Sequence, residues 1–458
     1  MKIAFVSSEA TPYAKTGGLA DVVGTLPHYL KTIGNEMAIV MPKYPNMKGT
    51  HVQSLEIEMQ KKYTVKVFSE GDYLFIDYPP FFERTGLYGT EKGDYEDNCE
   101  RFTLFCKAVS QLITERGYTL VHCHDWQSGL IPLYVRLKKP QVKTVFTIHN
   151  LGYQGKFPGS KFPLLGLDEM YFNQEGIEFY GDISFLKAGI VYSDAITTVS
   201  ENYAKEIQTS EFGFGLEGIL REKSDKLSGI VNGIDYNHWN PETDNLIYAP
   251  YTDFEGKQKN KQRLTHECQI ESKRPLIGMV SRIAGQKGFD ILIKAFPGIM
   301  DTGFSVVLLG FGEEHYYNKL KEYEHLYPNR VSISIKFDNK LAHRIYAASD
   351  FFLMPSRYEP CGLGQLISLK YGGIPIVRKT GGLADTVIEF EPTTCSGNGF
   401  LFKEYSCTAL LEAVQRAYDV YQNHTLFSAL SENCMKYNFS WQESAKKYQR
   451  LYDSLLDT

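Results

Sequence analysis

Short apolar runs followed by stretches of helical periodicity recur along this chain, and that alternation is the tightest constraint on its fold. KIAFVSS at the amino end reads as a strand. Leu19 to Ile33 has helical apolar spacing with Gly34 as a C-cap, and MAIVMP is the next strand. TLVHCHDW, KTVFTIHN, and DAITTVS followed by ENYAKEI continue the pattern. Repeated strand–helix units predict a parallel sheet covered by helices on both faces. IVNGIDYNHWNPETD, rich in Asn, Gly, Asp and Pro, reads as a loop leaving a first domain. A polar, lysine-rich helical segment (Gly256 to Cys268) follows, then a second series: PLIGMVSR, FSVVLLGFGEE, RVSISIKF, DFFLMPSR and IPIVRKTGG. At 458 residues the chain is also longer than one core usually serves. The expectation is α/β with two doubly wound domains, a boundary near residue 245, and a cleft between them at the carboxyl ends of the strands.

Charge and cysteine usage narrow the partners. The net charge is −5 and no block of Lys and Arg stands out, which disfavours nucleic acid and anionic membrane as partners. MKIAFVSSEA enters an apolar strand without a signal-peptide pattern, and no apolar run approaches about 18 residues. The eight cysteines form no CxxC pair. Reduced thiols and a cytoplasmic location are expected.

The motifs fall just after expected strands. Residues 15–21, KTGGLAD, are repeated letter for letter at 379–385. Gly-Gly at a helix start brings backbone close to a ligand, and the free N–H groups and helix dipole favour an anion. The first copy offers Lys15, Gly17 and Gly18, the second Thr380, Gly381 and Gly382. SRIAGQKGFD supplies Arg282 and Lys287, suited to clamp a diphosphate as fork and point charge. LLGFGEE adds Gly310 and Gly312 after the next strand, without the third glycine of a dinucleotide fingerprint. In SRYEPCGLGQL, Glu359 precedes Pro360, and Cys361, Gly362, Leu363 and Gly364 offer backbone donors at a helix start. HCHDWQ places two His, a Cys and an Asp within four residues, but neighbouring strand residues point to opposite faces, which disfavours a metal site. Asp125 and His149 close two of these strands and are the better active-site candidates. No D-x-D occurs, so phosphate charge is expected to meet Lys, Arg and helix termini rather than a metal, and no cofactor is called for.

Taken in order, KTGGLADVVG, YEDNCERF, HCHDWQ, TIHN, VSRIAGQKG, SRYEPCGLGQL, KTGGLADTV and NGF near residue 400 resemble the bacterial glycogen synthases and plant-type starch synthases of glycosyltransferase family 5. The resemblance runs from residue 1 to about 402. It implies the GT-B fold: two Rossmann-like domains facing a central cleft, with an acceptor side over 1–245 and a nucleotide-sugar side over 246–438. A terminal helix over 439–458 would cross back to the first domain. It implies transfer of glucose from ADP-glucose, with UDP-glucose the alternative, to the non-reducing 4-hydroxyl of an α-1,4-glucan such as glycogen or a maltooligosaccharide, with retention. Carried over by motif, Lys15 and its glycines would contact the donor. Arg282 and Lys287 would hold the leaving diphosphate, and Glu359 the transferred glucose. His149 would lie beside the anomeric region and 6-hydroxyl, with Asp125 and Tyr95 on the sugar and acceptor side. The departing phosphate would take the acceptor's proton, so no protein nucleophile is implied.

Two positions depart from related sequences. Gly364 stands where the synthases commonly carry Thr, which removes a hydroxyl but keeps a backbone donor. Ile367 stands where other retaining families place a second glutamate, as is usual in the synthase branch. Another GT-B glucosyltransferase, acting on sucrose or a lipid sugar, is the alternative enzyme. A glucan-binding or priming scaffold is the non-enzymatic one.

Overall fold

The computed structural model describes residues 1–457, and the chain divides into two units: Met1–Ile230 together with Trp441–Thr458, and Val231–Ser440. The first is built on a nine-stranded sheet. Its order is Leu227–Gly229, Ala195–Thr198, Lys143–Ile148, Leu120–His124, Lys2–Val6, Glu36–Pro42, Tyr73–Asp77, Lys62–Glu70 and Thr50–Glu58. The first seven pair in parallel, and the last two extend one edge through antiparallel pairings, with only Lys62–Glu70 running opposite to the rest. The strand order reverses at Lys2–Val6: Glu36–Pro42, next in the sheet's chain order, pairs on one side and Leu120–His124 on the other. Such a reversal leaves a crevice at the strands' carboxyl ends. Ser7 to Glu9 leave one of these two strands there, and Asp125 leaves the other.

Helix Trp441–Leu456 belongs to this first unit. Trp441, Ala445, Tyr448 and Tyr452, one face at helical spacing, are buried in its core. Gln449 accepts a 2.6 Å bond from the Asn35 amide, and the Tyr452 hydroxyl lies 2.7 Å from His122 Nδ1. A stretch that starts and ends in polar sequence is thus fixed to the centre of a sheet laid down more than three hundred residues earlier.

The second unit has a six-stranded, wholly parallel sheet in the order Val331–Ile335, Ser305–Gly312, Leu276–Ile283, Phe351–Met354, Ile374–Arg378, Phe400–Phe402. Its reversal lies between Leu276–Ile283 and Phe351–Met354. Helix Phe254–Glu267 occupies the lysine-rich segment, yet Lys257 and Lys261 are almost wholly buried. Lys257 Nζ donates to the carbonyls of Tyr346, Ala347 and Tyr371 at 3.2, 3.1 and 3.0 Å. It thereby satisfies orphan acceptors at the carboxyl ends of helices Asn339–Ala348 and Gly364–Lys370. Burial lowers its ammonium to about 7. Lys261 Nζ sits 2.6 Å from Asp350, whose carboxylate also accepts the Leu276 N–H at 2.8 Å where the central strand begins.

Removing one member of a buried pair strands the other charge, at about 3–5 kcal/mol. Lys261→Met is therefore expected to lower the urea midpoint of the second unit by a corresponding margin, while Lys446→Met, in a surface pair with Glu443, leaves unfolding unchanged.

Candidate functional site

In the first unit the strand ends carry a buried polar network. Glu9, only 3% exposed, accepts from the Thr16 N–H (2.5 Å), the Thr16 hydroxyl (2.6 Å) and the Tyr88 hydroxyl (2.6 Å). Glu9 thus fixes the start of the first KTGGLAD copy. Gly17 is the N-cap of helix Gly18–Thr32, and a Cβ there would meet nothing within 4 Å. Lys15 is exposed and pairs with Asp21 at 2.7 Å.

Asp125 has a left-handed backbone (φ 56°), uncommon outside glycine and a frequent sign of a constrained site. Its carboxylate accepts the His149 N–H at 2.7 Å and the Asn150 N–H, which fixes the segment leaving the neighbouring strand. Burial still dominates and raises the carboxyl to about 7. His149 is half-buried, with its imidazole held down at about 3 by burial, and its Nε2 lies 3.0 Å from His124 Nδ1.

Tyr95, expected on the sugar and acceptor side, is held in its loop by two arginines. Its ring is flanked by the guanidiniums of Arg84 and Arg101, at 5.1 and 4.9 Å from the centroid, and its hydroxyl donates to the Thr85 carbonyl. Arg101 is fully buried and ties the loop together through the carbonyls of Phe81 and Leu87 and the Asn98 side chain. The tyrosine that this loop delivers to the strand ends is Tyr88, on Glu9 and Ser8. Glu9 and Tyr88 were not singled out from the sequence. The signal for Glu9 was its place just beyond an apolar strand.

In the second unit, Lys287 and Glu359 form a two-pronged pair at 2.8 and 2.6 Å, and the Ser356 hydroxyl donates to the same carboxylate at 2.9 Å. The two loops are locked together around them. Gly288 (φ +79°) lies so close to the Pro355 carbonyl that a Cβ would come within 1.9 Å, and the Arg357 N–H donates to the Gln286 carbonyl at 2.9 Å. Arg282 ends exposed on its strand, with no side-chain hydrogen bond or ion pair among the described residues. Gly310 and Gly312 pack on the carbonyls of Ser281 and Ile283, at 2.3 and 2.1 Å from a would-be Cβ.

The second KTGGLAD copy packs against the Glu359 loop. Thr380 is the buried N-cap of helix Gly381–Thr386. The Gly382 N–H donates to the carbonyls of Glu359 and Pro360, so this glycine contributes close approach rather than a free donor. Gly362 takes φ +75° above the Gln365 side chain, which donates to the carbonyls of Cys361 and Gly362, and Leu363 precedes helix Gly364–Lys370. Gly364 faces Phe352, Met354 and Tyr346 at 3.0–3.4 Å, so these larger side chains fill the room beside it. Burial pushes the Cys361 thiol up to about 12, against hydrogen bonds from Asn232. Asn232, which sequence reading placed only in a connecting loop, is 5% exposed and its Oδ1 has no partner among the described residues.

Two expectations follow. Gly17→Ala should leave the melting temperature unchanged, whereas Gly382→Ala, whose Cβ would lie 2.1 Å from the Cys361 carbonyl, should be strongly destabilising; calorimetry on both variants checks this. The second concerns Asp125. A carboxyl at about 7 in the fold and near 4 when unfolded makes the native chain bind the extra proton between those values, so this term weakens the fold as pH rises through that window. Asp125→Asn removes it. Denaturant titrations from pH 4 to 8 should show the variant gaining stability relative to the parent as pH rises.

Comparison with known proteins gives this arrangement a family. Residues 2–222 match the starch synthase catalytic domain family, and residues 260–433 match glycosyl transferases group 1. Glycogen synthase of Koribacter versatilis is 45% identical over 99% of this chain and 98% of that protein. Glycogen synthase of Thermosipho africanus is 44% identical over 100% and 99%. The solved catalytic domain of starch synthase IV from Arabidopsis thaliana, bound to ADP and acarbose, superposes with a TM-score of 0.89 at 33% identity, covering 100% of this chain and 99% of that one. Sucrose-phosphate synthase of Thermosynechococcus elongatus shares the fold alone, at 18% identity and a TM-score of 0.65. With two parallel-sheet units of GT-B type and full-length likeness of this order, the chain belongs to the glycogen and starch synthase family of glucosyltransferases.

Proposed function

We propose that this chain extends an α-1,4-glucan by moving glucose from ADP-glucose to the non-reducing 4-hydroxyl with retention, releasing ADP. The observation that carries the reading is the Lys287–Glu359 pair at the reversal of the second sheet, set into loops that glycines hold at backbone contact. Glu359 is assigned to the hydroxyls of the transferred glucose, and Arg282 and Lys287 to the diphosphate. Lys287 then exchanges part of its bond to Glu359 for phosphate oxygen. Cationic groups aimed where charge develops on the leaving oxygen supply a large share of catalysis in many enzymes. Backbone around Gly312, Cys361 to Leu363 and Thr380 to Gly382 shapes the nucleotide-sugar pocket.

The first unit is assigned the acceptor through Asp125 and Tyr95, while Lys15, Gly17 and Gly18 are assigned to the donor and His149 to the anomeric region and 6-hydroxyl of the transferred glucose. The likeness to a starch synthase bound to ADP and acarbose supports a nucleoside diphosphate and a glucan-like ligand for this chain too. UDP-glucose remains the second donor to test. No helix among the described residues is long and apolar enough to cross a membrane. A cytoplasmic location is carried over from the sequence as part of this proposal.

Purified protein given ADP-glucose and glycogen should release ADP and incorporate glucose, with no dependence on added divalent cation. No incorporation from either ADP- or UDP-glucose would overturn the reading. Glu359→Ala and Lys287→Ala should each reduce kcat/KM by about 100-fold or more, the scale seen on removing one such electrostatic contact.

A further inference from the structure

Within the first unit, His149 is the end of a row of buried imidazoles. His122 and His124 are fully buried on one strand, their rings stacked 4.2 Å apart, and Phe5 packs against both. His122 uses both nitrogens, Nδ1 with the Tyr452 hydroxyl (2.7 Å) and Nε2 with the Thr147 hydroxyl (2.5 Å). His124 uses one: Nδ1 faces His149 Nε2 at 3.0 Å, and its own Nε2 is buried without a partner among the described residues. Burial keeps all three rings neutral, so each carries a single N–H.

That geometry admits two proton arrangements, of unequal cost. If His149 Nε2–H donates, His124 must carry its proton on Nε2, and a buried N–H is orphaned. If His124 Nδ1–H donates, the orphan is a lone pair. Orphaned buried N–H groups are the rarer and costlier of the two. That tendency favours the second arrangement, in which His149 Nε2 accepts and the proton of His149 resides on Nδ1. That nitrogen is the only one left to a ligand.

We infer that His124 is a positioning residue that fixes His149 as the Nδ1–H tautomer, so that His149 meets the transferred sugar solely as a hydrogen-bond donor to one of its oxygens. The substrate part rests on the proposed glucosyl transfer; the tautomer does not. In this state His149 offers the reacting hydroxyl no lone pair. It therefore takes no proton from the acceptor.

Histidine-labelled full-length protein tests the tautomer without substrate. Long-range proton–nitrogen correlation spectra distinguish a protonated Nδ1 from a protonated Nε2, and His124→Leu and His149→Asn assign the signals. His124 and His149 are both expected as Nδ1–H, unchanged from pH 5 to 8. An Nε2–H signal for His149, or its titration in that range, would overturn the inference. In folded His124→Leu, the His149 signal should gain an Nε2–H component; an unchanged tautomer would mean that His124 does not set it. Kinetically, Asn places an amide donor near the Nδ1 position and Gln near Nε2. His149→Asn should keep kcat/KM within about 10-fold, and His149→Gln should lose about 100-fold. Equal losses would remove the donor role. Absent glucosyl transfer alongside the expected spectrum would sink the function and leave the tautomer standing.

Discussion

Parallel strands in one sheet must all finish on the same edge, and most of what this chain presents for chemistry follows from that. In the first unit, Glu9, Asp125 and His149 leave three adjacent strands at one edge, beside or next to the point where strand order reverses. In the second, Arg282 and Lys287 leave one strand at its reversal and Glu359 leaves the neighbour. Residues far apart in sequence converge because helices carry the chain back to the opposite edge after each strand. The crevice at a reversal is the one place along such an edge where side chains from two loops are not covered by a crossing connection.

The repeated KTGGLAD shows how the same seven residues are turned to different ends by what lies next to them. In the first copy Gly17 borders open space, while Thr16 is held by Glu9. In the second, Gly381 and Gly382 would each drive a Cβ into the carbonyls of the Glu359 loop, at 1.9 and 2.1 Å. One pair of glycines leaves room; the other fastens two loops together. A local pattern specifies a helix start, and its surroundings decide whether the backbone there faces a ligand or another loop.

Strand–helix alternation and the position of motifs after strands were legible because both are local. The parallel sheets, the Arg282–Lys287 loop, the Glu359 loop and the second Gly-Gly turn all follow from that reading. What escaped it depends on long-range pairing. Lys257 and Lys261 lie in a segment that reads only as polar, lysine-rich and helical, yet they are buried because carbonyls of two later helices and Asp350 await them. Nothing near Tyr88 and Tyr95 in sequence tells which reaches Glu9; Arg101, fully buried under the loop, decides it. For His122 the strand pattern disfavoured a metal, but it did not name the partners that take its nitrogens: Thr147 and Tyr452, the latter 330 positions away.

Burial also divides the electrostatic labour between the units. The polar groups at the first unit's strand ends are spent or neutral. Glu9 accepts three hydrogen bonds, Asp125 accepts two backbone N–H groups with its carboxyl raised to about 7, and the histidines are held uncharged. The second unit sets cations beside a carboxylate: Arg282 is exposed, and Lys287 pairs with Glu359 at 2.6 Å. Within the first unit Asp125, at about 7, is matched to exchange a proton near neutral pH, whereas His149, held down at about 3, is a weak base. A cationic loop beside a carboxylate is well suited to stabilise a departing phosphate, which gains basicity as its bond to carbon breaks. That suits the proposed transfer, in which the leaving group removes the proton and the protein supplies position and charge.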